Sequence, residues 1–309
     1  MTRRATQTNF FIVGAPRCGT TAMSSYLAEH GQVNFSDPKE PLFFCTDMSG
    51  VQAVQDVTDY EKHFFSMPSC DADTPLLRGE GSVWYLYSEA AIPNILAYNP
   101  DARFIVMLRN PVDLLLSLHQ KLLLFLDENE PNFQKAWALQ DFRDRGECIP
   151  ETCRESKLLR YRSIGKLGAQ VERMLKYVRR SHIHFITYDD FTCSQRDTYE
   201  QVLEFLGLEQ DGRQVFPRVN ANRKVLNRHL YKAISRPSDV VMKMVSIGKQ
   251  VLGVDKLGVL TILRKKLTPE KPRVAIDFVL RSRLVEEFSD DVNLLGKLIE
   301  KDLTHWTRF

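Results

Sequence analysis

The chain has 309 residues, 43% of them hydrophobic, and a formal net charge of +3, which is ample material for one large α/β unit or two modest ones and excludes a disordered or low-complexity chain. The longest apolar stretch, Leu114 to Leu126, is interrupted by Ser117, His119, Gln120 and Lys121, so it is not a membrane span. The apolar run behind Arg3 and Arg4 is too short for a secretory leader, and the expectation is a soluble, cytoplasmic protein.

Taken in chain order, short apolar runs alternate with stretches of helical period, the pattern of a parallel sheet with helices on its faces. Strands are predicted at Phe10–Val13, Leu76–Glu80, Arg103–Leu108 and His182–Tyr188. Helices are predicted at Thr20–Glu29, Ser88–Tyr98, Val112–Leu126, Gly168–Val178 and Arg196–Leu206, with one or two more between Val274 and Trp306. In the last of these Leu284, Phe288, Val292, Leu295 and Leu298 keep helical spacing. Pro38, Pro41, Pro68 and Pro75 punctuate a long irregular connection before the second strand, and a second polar stretch runs from Asp127 to Glu155. Long connections in compact domains tend to carry function, so both are candidate lids or substrate-selecting inserts.

Charge is unevenly placed. Between Arg223 and Arg273 thirteen Lys and Arg face three acids, Asp239, Asp255 and Glu270, so the segment is +10 and the remainder −7. Such a segment suits an anionic nucleotide, an anionic substrate or a lipid head-group surface, or is a solvated helix face. Without interleaved aromatics or a recognition motif it does not suggest nucleic acid. Six cysteines in a chain of this length suggest reduced thiols. Cys148 and Cys153 are close enough for a bridge or a metal, but no second Cys/His pair has ligand spacing, and no metal is expected.

The first strand runs into the most informative segment. Gly14 and Gly19 have the spacing of a phosphate-binding loop of the form G-x-x-x-x-G-K-[ST], and Thr21 fills the last place, but Thr20 stands where the Lys for the β- and γ-phosphates belongs. Arg17 supplies a cation inside the loop. Backbone amides and a helix N-terminus without the γ-phosphate Lys suggest a nucleotide lacking that phosphate; the alternative is a strand-to-helix turn with no ligand. Ligands of open parallel sheets bind beyond the C-terminal ends of the strands. Two further strand ends converge there: Gly79-Glu80-Gly81-Ser82, and Arg109-Asn110-Pro111 opening a helix that carries Ser117. A guanidinium and a hydroxyl so placed suit a second phosphate.

With these residues the chain resembles the sulfotransferases that use 3′-phosphoadenosine 5′-phosphosulfate (PAPS), in particular the bacterial and glycosaminoglycan-type members. Ala15-Pro-Arg-Cys-Gly-Thr-Thr21 is similar to their 5′-phosphosulfate loop, and Leu108-Arg-Asn-Pro-Val-Asp-Leu-Leu-Leu-Ser117 to their 3′-phosphate motif. Lys39-Glu-Pro-Leu-Phe-Phe44, Ile183 to Phe191 with Val202 to Leu208, and Asp302-Leu-Thr-His-Trp306 extend the likeness over nearly the whole chain. The resemblance implies a P-loop-like three-layer α/β fold with a central parallel β-sheet flanked by helices. It implies a single domain over residues 1–309, with inserts at 38–75 and 127–160 and a basic helical segment at 223–273.

It also implies roles. Arg17 would contact the 5′-phosphosulfate and stabilise the transferring group, with Cys18, Gly19, Thr20 and Thr21 completing the loop. Arg109 and Ser117 would clamp the 3′-phosphate, and Asn222, Arg223 and Lys224 would form a further basic loop at the nucleotide. Glu40 would be the general base that takes the acceptor proton, aided if burial raises its pKa. His63 and His119 are rival bases. The implied co-substrate is PAPS, the product PAP (3′-phosphoadenosine 5′-phosphate), and the acceptor a hydroxyl or amine on a glycan, glycolipid or small molecule. Peripheral contact with an anionic membrane is a further expectation, while oligomeric state is not readable. Relatives often carry Lys where Gly81 stands and a basic residue where Leu114 stands, which leaves the acceptor open. A P-loop kinase using ATP and an inactive nucleotide-binding module are the alternative readings.

Overall fold

The computed structural model describes residues 7–65, 77–217 and 276–308. Five strands form one parallel sheet, β1 (Phe10–Gly14), β2 (Val33–Phe35), β3 (Leu77–Glu80), β4 (Arg103–Leu108) and β5 (Ile183–Thr187), in the spatial order β2-β3-β1-β4-β5. Every residue of β1 is buried, as expected of a central parallel strand covered on both faces. The chain winds from β1 toward β2 and β3 on one side and later toward β4 and β5 on the other. The switch point therefore lies between β1 and β4.

Helices pack on the sheet faces. They are α1 (Thr20–Ala28), α2 (Val57–His63), α3 (Ala91–Tyr98), α4 (Pro111–Phe125), α5 (Phe133–Ala138), α6 (Gln140–Asp144), α7 (Tyr161–Gly165), α8 (Leu167–Leu175), α9 (Tyr188–Cys193), α10 (Gln195–Leu206) and α11 (Phe278–Ile299). The fold is the P-loop-like three-layer α/β arrangement expected. No helix among the described residues is long and apolar enough to cross a membrane.

Local signals set the ends of the helices that matter to the site. Asn110 caps α4 by accepting from the Val112 amide at 3.0 Å, and Pro111 occupies the first turn, where a missing N–H costs nothing. Leu126 ends α4 in the left-handed conformation. Helix α8 has no cap of its own; Asp291, from the middle of α11, accepts from the amides of Gly168 at 2.7 Å and Ala169 at 2.9 Å. In α11 the residues Leu284, Phe288, Val292 and Leu295 are buried as their spacing predicts, while Ile299 is buried and Leu298 only partly so.

The structure revises the expected connections. The stretch from Pro38 to Pro75 is not wholly irregular, because it holds α2, and β2 precedes it. The stretch Asp127 to Glu155 is polar in composition but buried at its root. Glu128 and Arg143 are both fully buried and joined by two hydrogen bonds of 2.8 and 2.9 Å, and the Tyr161 hydroxyl donates to the same carboxylate at 2.7 Å.

Beneath the site lies a buried carboxyl. Glu80, fully buried at the end of β3, accepts at Oε2 from the hydroxyls of Tyr60 (2.9 Å) and Tyr85 (3.2 Å), while Oε1 has no hydrogen-bonding partner among the described residues. Burial pushes its pKa from the ordinary 4.5 up to about 7, against the opposing pull of Ser82, the two tyrosines and Lys39. Because the folded value is the higher one, the folded chain holds this proton between the two values while the unfolded chain releases it. The contribution to stability therefore falls as pH rises through that window. Urea unfolding of wild type and Glu80→Gln at pH 5 and pH 8 is expected to move the stability difference toward the variant by on the order of 2 kcal/mol at the higher pH. A difference independent of pH would show that Glu80 does not titrate in this range.

Candidate functional site

The loop after β1 is a tight turn into α1. Arg17 (φ 66°) and Gly19 (φ 90°) both lie in the left-handed region. A Cβ on Gly19 would sit 3.0 Å from the Phe191 ring, so both the backbone angle and the packing call for glycine. Gly19 is the N-cap of α1 and brings no side-chain cap, and helix geometry leaves the first-turn amides without intrahelical acceptors. Cys18 is fully buried with its thiol turned toward the Pro16 carbonyl (3.5 Å), and burial pushes its pKa up to about 12. Its side chain is a neutral packing group, so only its backbone is available to a ligand. Thr20 is buried and Thr21 half-buried.

Arg109 follows β4 directly and is buried. Its Nη1 donates to the Arg17 carbonyl at 3.1 Å, and its guanidinium lies 4.5 Å from the centre of the Tyr188 ring, at the start of α9. Arg17 Nε donates in turn to Ser117 Oγ at 2.9 Å. The three sequence candidates Arg17, Arg109 and Ser117 thus meet at the β1/β4 switch point. Ser117 is engaged with Arg17 rather than with Arg109. Burial, and after it the charge of Arg109, hold the Arg17 guanidinium below its usual pKa. No carboxylate pairs with Arg109 among the described residues. The half-buried Arg17 and buried Arg109 guanidiniums at an uncapped helix N-terminus form a cationic cradle suited to an anion.

Glu40 lies on the segment after Pro38, at φ 70°, with Leu42 at φ 54°. That segment is fastened to the end of β3: the Leu42 amide donates to Ser82 Oγ at 3.0 Å and the Phe44 amide to the Tyr85 hydroxyl at 3.4 Å. The Glu40 carboxylate is not buried as a base tuned by desolvation would be; its side chain is 36% exposed and accepts from Lys39 Nζ at 3.0 Å. Its charge acts on Arg17 and on Arg154.

Lys39 was not singled out by the sequence as a site residue. A Cβ added at Gly81 would lie 2.9 Å from Lys39 Cε and 2.7 Å from Ser24 Oγ. The Lys39 stem therefore occupies the space over Gly81, and its ammonium reaches Glu40 from there. Glycine at 81 is what leaves room for it. Leu114, the other departure from the family pattern, is fully buried.

The remaining candidates fall elsewhere. Asn222, Arg223, Lys224 and the basic segment 223–273 lie outside the described residues, as does the side chain of His63. His119 is fully buried, packed against Phe133 and Tyr161 with Nε2 2.8 Å from the Glu130 carbonyl, and burial lowers its pKa. It is a structural histidine. Cys148 is exposed and Cys153 half-buried, and both are free thiols. Besides Lys39, sequence reasoning missed Tyr188 and Arg154. Tyr188 could have been found, since it directly follows β5 and so obeys the same strand-end rule as Arg109.

Comparison with known proteins agrees with this architecture. The model of the sulfotransferase family matches residues 9–212. Among curated proteins the chain is similar to the membrane-associated sulfotransferase kil1 of Dictyostelium discoideum, 27% identical over 40% of this chain and 24% of that protein. It is also similar to carbohydrate sulfotransferase 15 of Mus musculus, 28% identical over 35% of this chain and 26% of that protein. The chain thus matches about a quarter of the length of each. A solved sulfotransferase from Alicyclobacillus acidocaldarius superposes with a TM-score of 0.68 at 24% identity, covering 98% of this chain and 99% of that one, a likeness of fold. With the family match running over well more than half of its length, the chain belongs to the sulfotransferase family.

Proposed function

We propose that this sulfotransferase moves a sulfonate group from PAPS to a hydroxyl or amine of its acceptor by direct in-line transfer. The observation that carries the reading is the convergence of Arg17 and Arg109 at the uncapped N-terminus of α1, a half-buried and a buried cation from adjacent strand ends with a loop that omits the γ-phosphate Lys. A nucleotide with phosphates at both its 5′ and 3′ ends answers both cations. A kinase would instead need the missing Lys and commonly a metal-holding Asp.

In the reaction the acceptor oxygen or nitrogen forms a bond to sulfur as the bond from sulfur to the 5′-phosphate oxygen breaks. Glu40 accepts the proton that the acceptor loses. Arg17, fixed by Ser117 on one side and through its carbonyl by Arg109 on the other, offsets the negative charge that gathers on the departing phosphate oxygen. A cation already in place needs no reorganisation at that moment. Lys39 holds the Glu40 carboxylate from above Gly81, a positioning role.

Calorimetric titration is expected to give tight binding of PAP, weaker binding of ADP, and loss of the 3′-phosphate preference in Arg109→Ala. Equal binding of PAP and ADP by the wild type would remove the PAPS reading.

With an acceptor found by screening, Glu40→Gln is expected to bind PAP as the wild type does and to transfer sulfonate about 100-fold more slowly or worse. Wild-type turnover in that variant would place the base elsewhere. Gly81→Ala puts a methyl where the Lys39 stem now lies, so it and Lys39→Met are both expected to lower kcat about tenfold with PAP affinity intact. Full activity in Gly81→Ala would mean that Lys39 need not take this path.

A further inference from the structure

The C-terminal tail returns to the sheet beside the two strand ends that carry Arg109 and Tyr188. The chain leaves α11 through Glu300, which is left-handed at φ 57°, and turns straight back: the Lys301 amide donates to the Gly296 carbonyl at 2.9 Å. A Cβ on Gly296 would lie 2.9 Å from the Lys301 carbonyl oxygen, so glycine there leaves room for the returning backbone. Leu303 is buried, a short helical turn spans Thr304–Trp306, and Trp306 is 3% exposed.

Trp306 is bound at two points. Its carbonyl accepts from Asn110 Nδ2 at 3.1 Å, and its indole Nε1 donates to Asp189 Oδ2 at 2.6 Å. Asn110 directly follows Arg109, and Asp189 directly follows Tyr188. The paired register of β4 and β5 ends at Leu108 and Thr187, so Arg109 and Tyr188 are the first residues past the ladder. Beyond them each chain turns into its own helix, α4 or α9. The 4.5 Å contact between the Arg109 guanidinium and the Tyr188 ring is therefore bracketed, with hydrogen-bonded strands behind it and the Trp306 bridge ahead of it.

Both ends of the bridge are themselves held. Asn110 Oδ1 caps α4 by accepting from the Val112 amide at 3.0 Å, so the side-chain amide is oriented by its oxygen and its nitrogen alike. At the other end His305 Nε2 lies 3.1 Å from the Asp189 oxygen that accepts from the indole. Lys301 pairs with Asp190, whose carboxylate also accepts from Thr187 Oγ1 at 2.6 Å.

Packing accounts for the burial of the indole and not for where its polar contacts fall. A buried indole N–H needs an acceptor, yet a carboxylate beside Tyr188 is by charge alone unfavourable to a phosphate at Arg109. Its benefit is geometric. A guanidinium binds phosphate through paired hydrogen bonds whose directions matter, and a ring fixed against it sets those directions in advance.

We propose that Trp306 is a positioning residue for donor binding: by tying Asn110 to Asp189 it fixes Arg109 against Tyr188 in the orientation that meets the 3′-phosphate. The role rests on the PAPS reading and assigns part of the donor site to the C-terminal tail.

The test compares PAP with adenosine 5′-monophosphate (AMP), which differs from it by the 3′-phosphate alone, in calorimetric titrations of the full chain. Trp306→Phe keeps the ring and the backbone carbonyl but loses the N–H, and Asp189→Ala removes its acceptor. Each is expected to weaken PAP about tenfold and to leave AMP affinity at the wild-type value. Asp189→Asn, whose amide oxygen still accepts from the indole, is expected to bind PAP at least as tightly as the wild type. Charge alone predicts the opposite sign for Asp189→Ala, since it removes an anion near the 3′-phosphate. Should Trp306→Phe fail to fold, Asp189→Ala carries the comparison, because its side chain is 50% exposed. Wild-type PAP affinity in Asp189→Ala, a parallel loss of PAP and AMP, or an Asp189→Asn as weak as Asp189→Ala each overturns the positioning role while leaving the donor reading intact. Equal binding of PAP and AMP by the wild type removes both.

Discussion

Two guanidiniums lie together in the floor of this molecule, and much of the candidate site is arranged around that fact. Arg17 and Arg109 leave adjacent parallel strands at the same end of the sheet, and the second donates a hydrogen bond to the carbonyl of the first. Like charges held so close are unfavourable unless something offsets them. The surroundings address this piecemeal: Ser117 accepts from Arg17, the Tyr188 ring lies against Arg109, and Glu40 acts from across the cleft. A ligand with two anionic groups at the right separation would suit both cations at once.

The segment that carries Glu40 shows how the position of a charge in space can be separated from its position in sequence. A Lys at 81 would deliver an ammonium over the end of β3 from below. Here position 81 is glycine, and the Lys39 stem from the facing segment passes over it while its ammonium pairs with Glu40. The same contact explains why the Lys39–Glu40 pair is more than a surface pair between sequence neighbours. The stem is confined between Gly81 and the loop, so the ammonium has little freedom to leave the carboxylate.

Much of the fold was legible because the strands that matter are largely buried and hence mostly apolar runs. Phe10–Val13, Arg103–Leu108 and His182–Tyr188 announced themselves, and the strand-end rule then picked out Arg17 and Arg109 without further help. β2 was missed because three residues, Val33–Phe35, are too few to show a period. α5 and α6 were missed for a different reason. They are short, and α6 is held by a tertiary ion pair, Glu128 with Arg143, which no local pattern predicts. Glu40 was singled out by resemblance, and its side chain is 36% exposed. The buried carboxyl of this region is Glu80, one strand away, and a sequence cannot say which of two nearby glutamates the core will enclose. Lys39 and Arg154 are set by contacts with Gly81 and Asp127, residues apart from them in the chain.

The polar stretch after α4 has the look of a mobile lid in sequence and the physics of a wall in structure. A buried, doubly hydrogen-bonded ion pair carries a large desolvation cost, and its benefit is geometric: it tolerates little displacement before the hydrogen bonds fail and the bare charges remain. Glu128 and Arg143 impose that constraint on α6, Asp127 imposes a related one on Arg154, and Lys157 extends it to Asp47 on the opposite segment. The two segments that flank the loop after β1 are thereby tied to one another by fixed charges, which hold their relative position as long as the ion pairs stay intact.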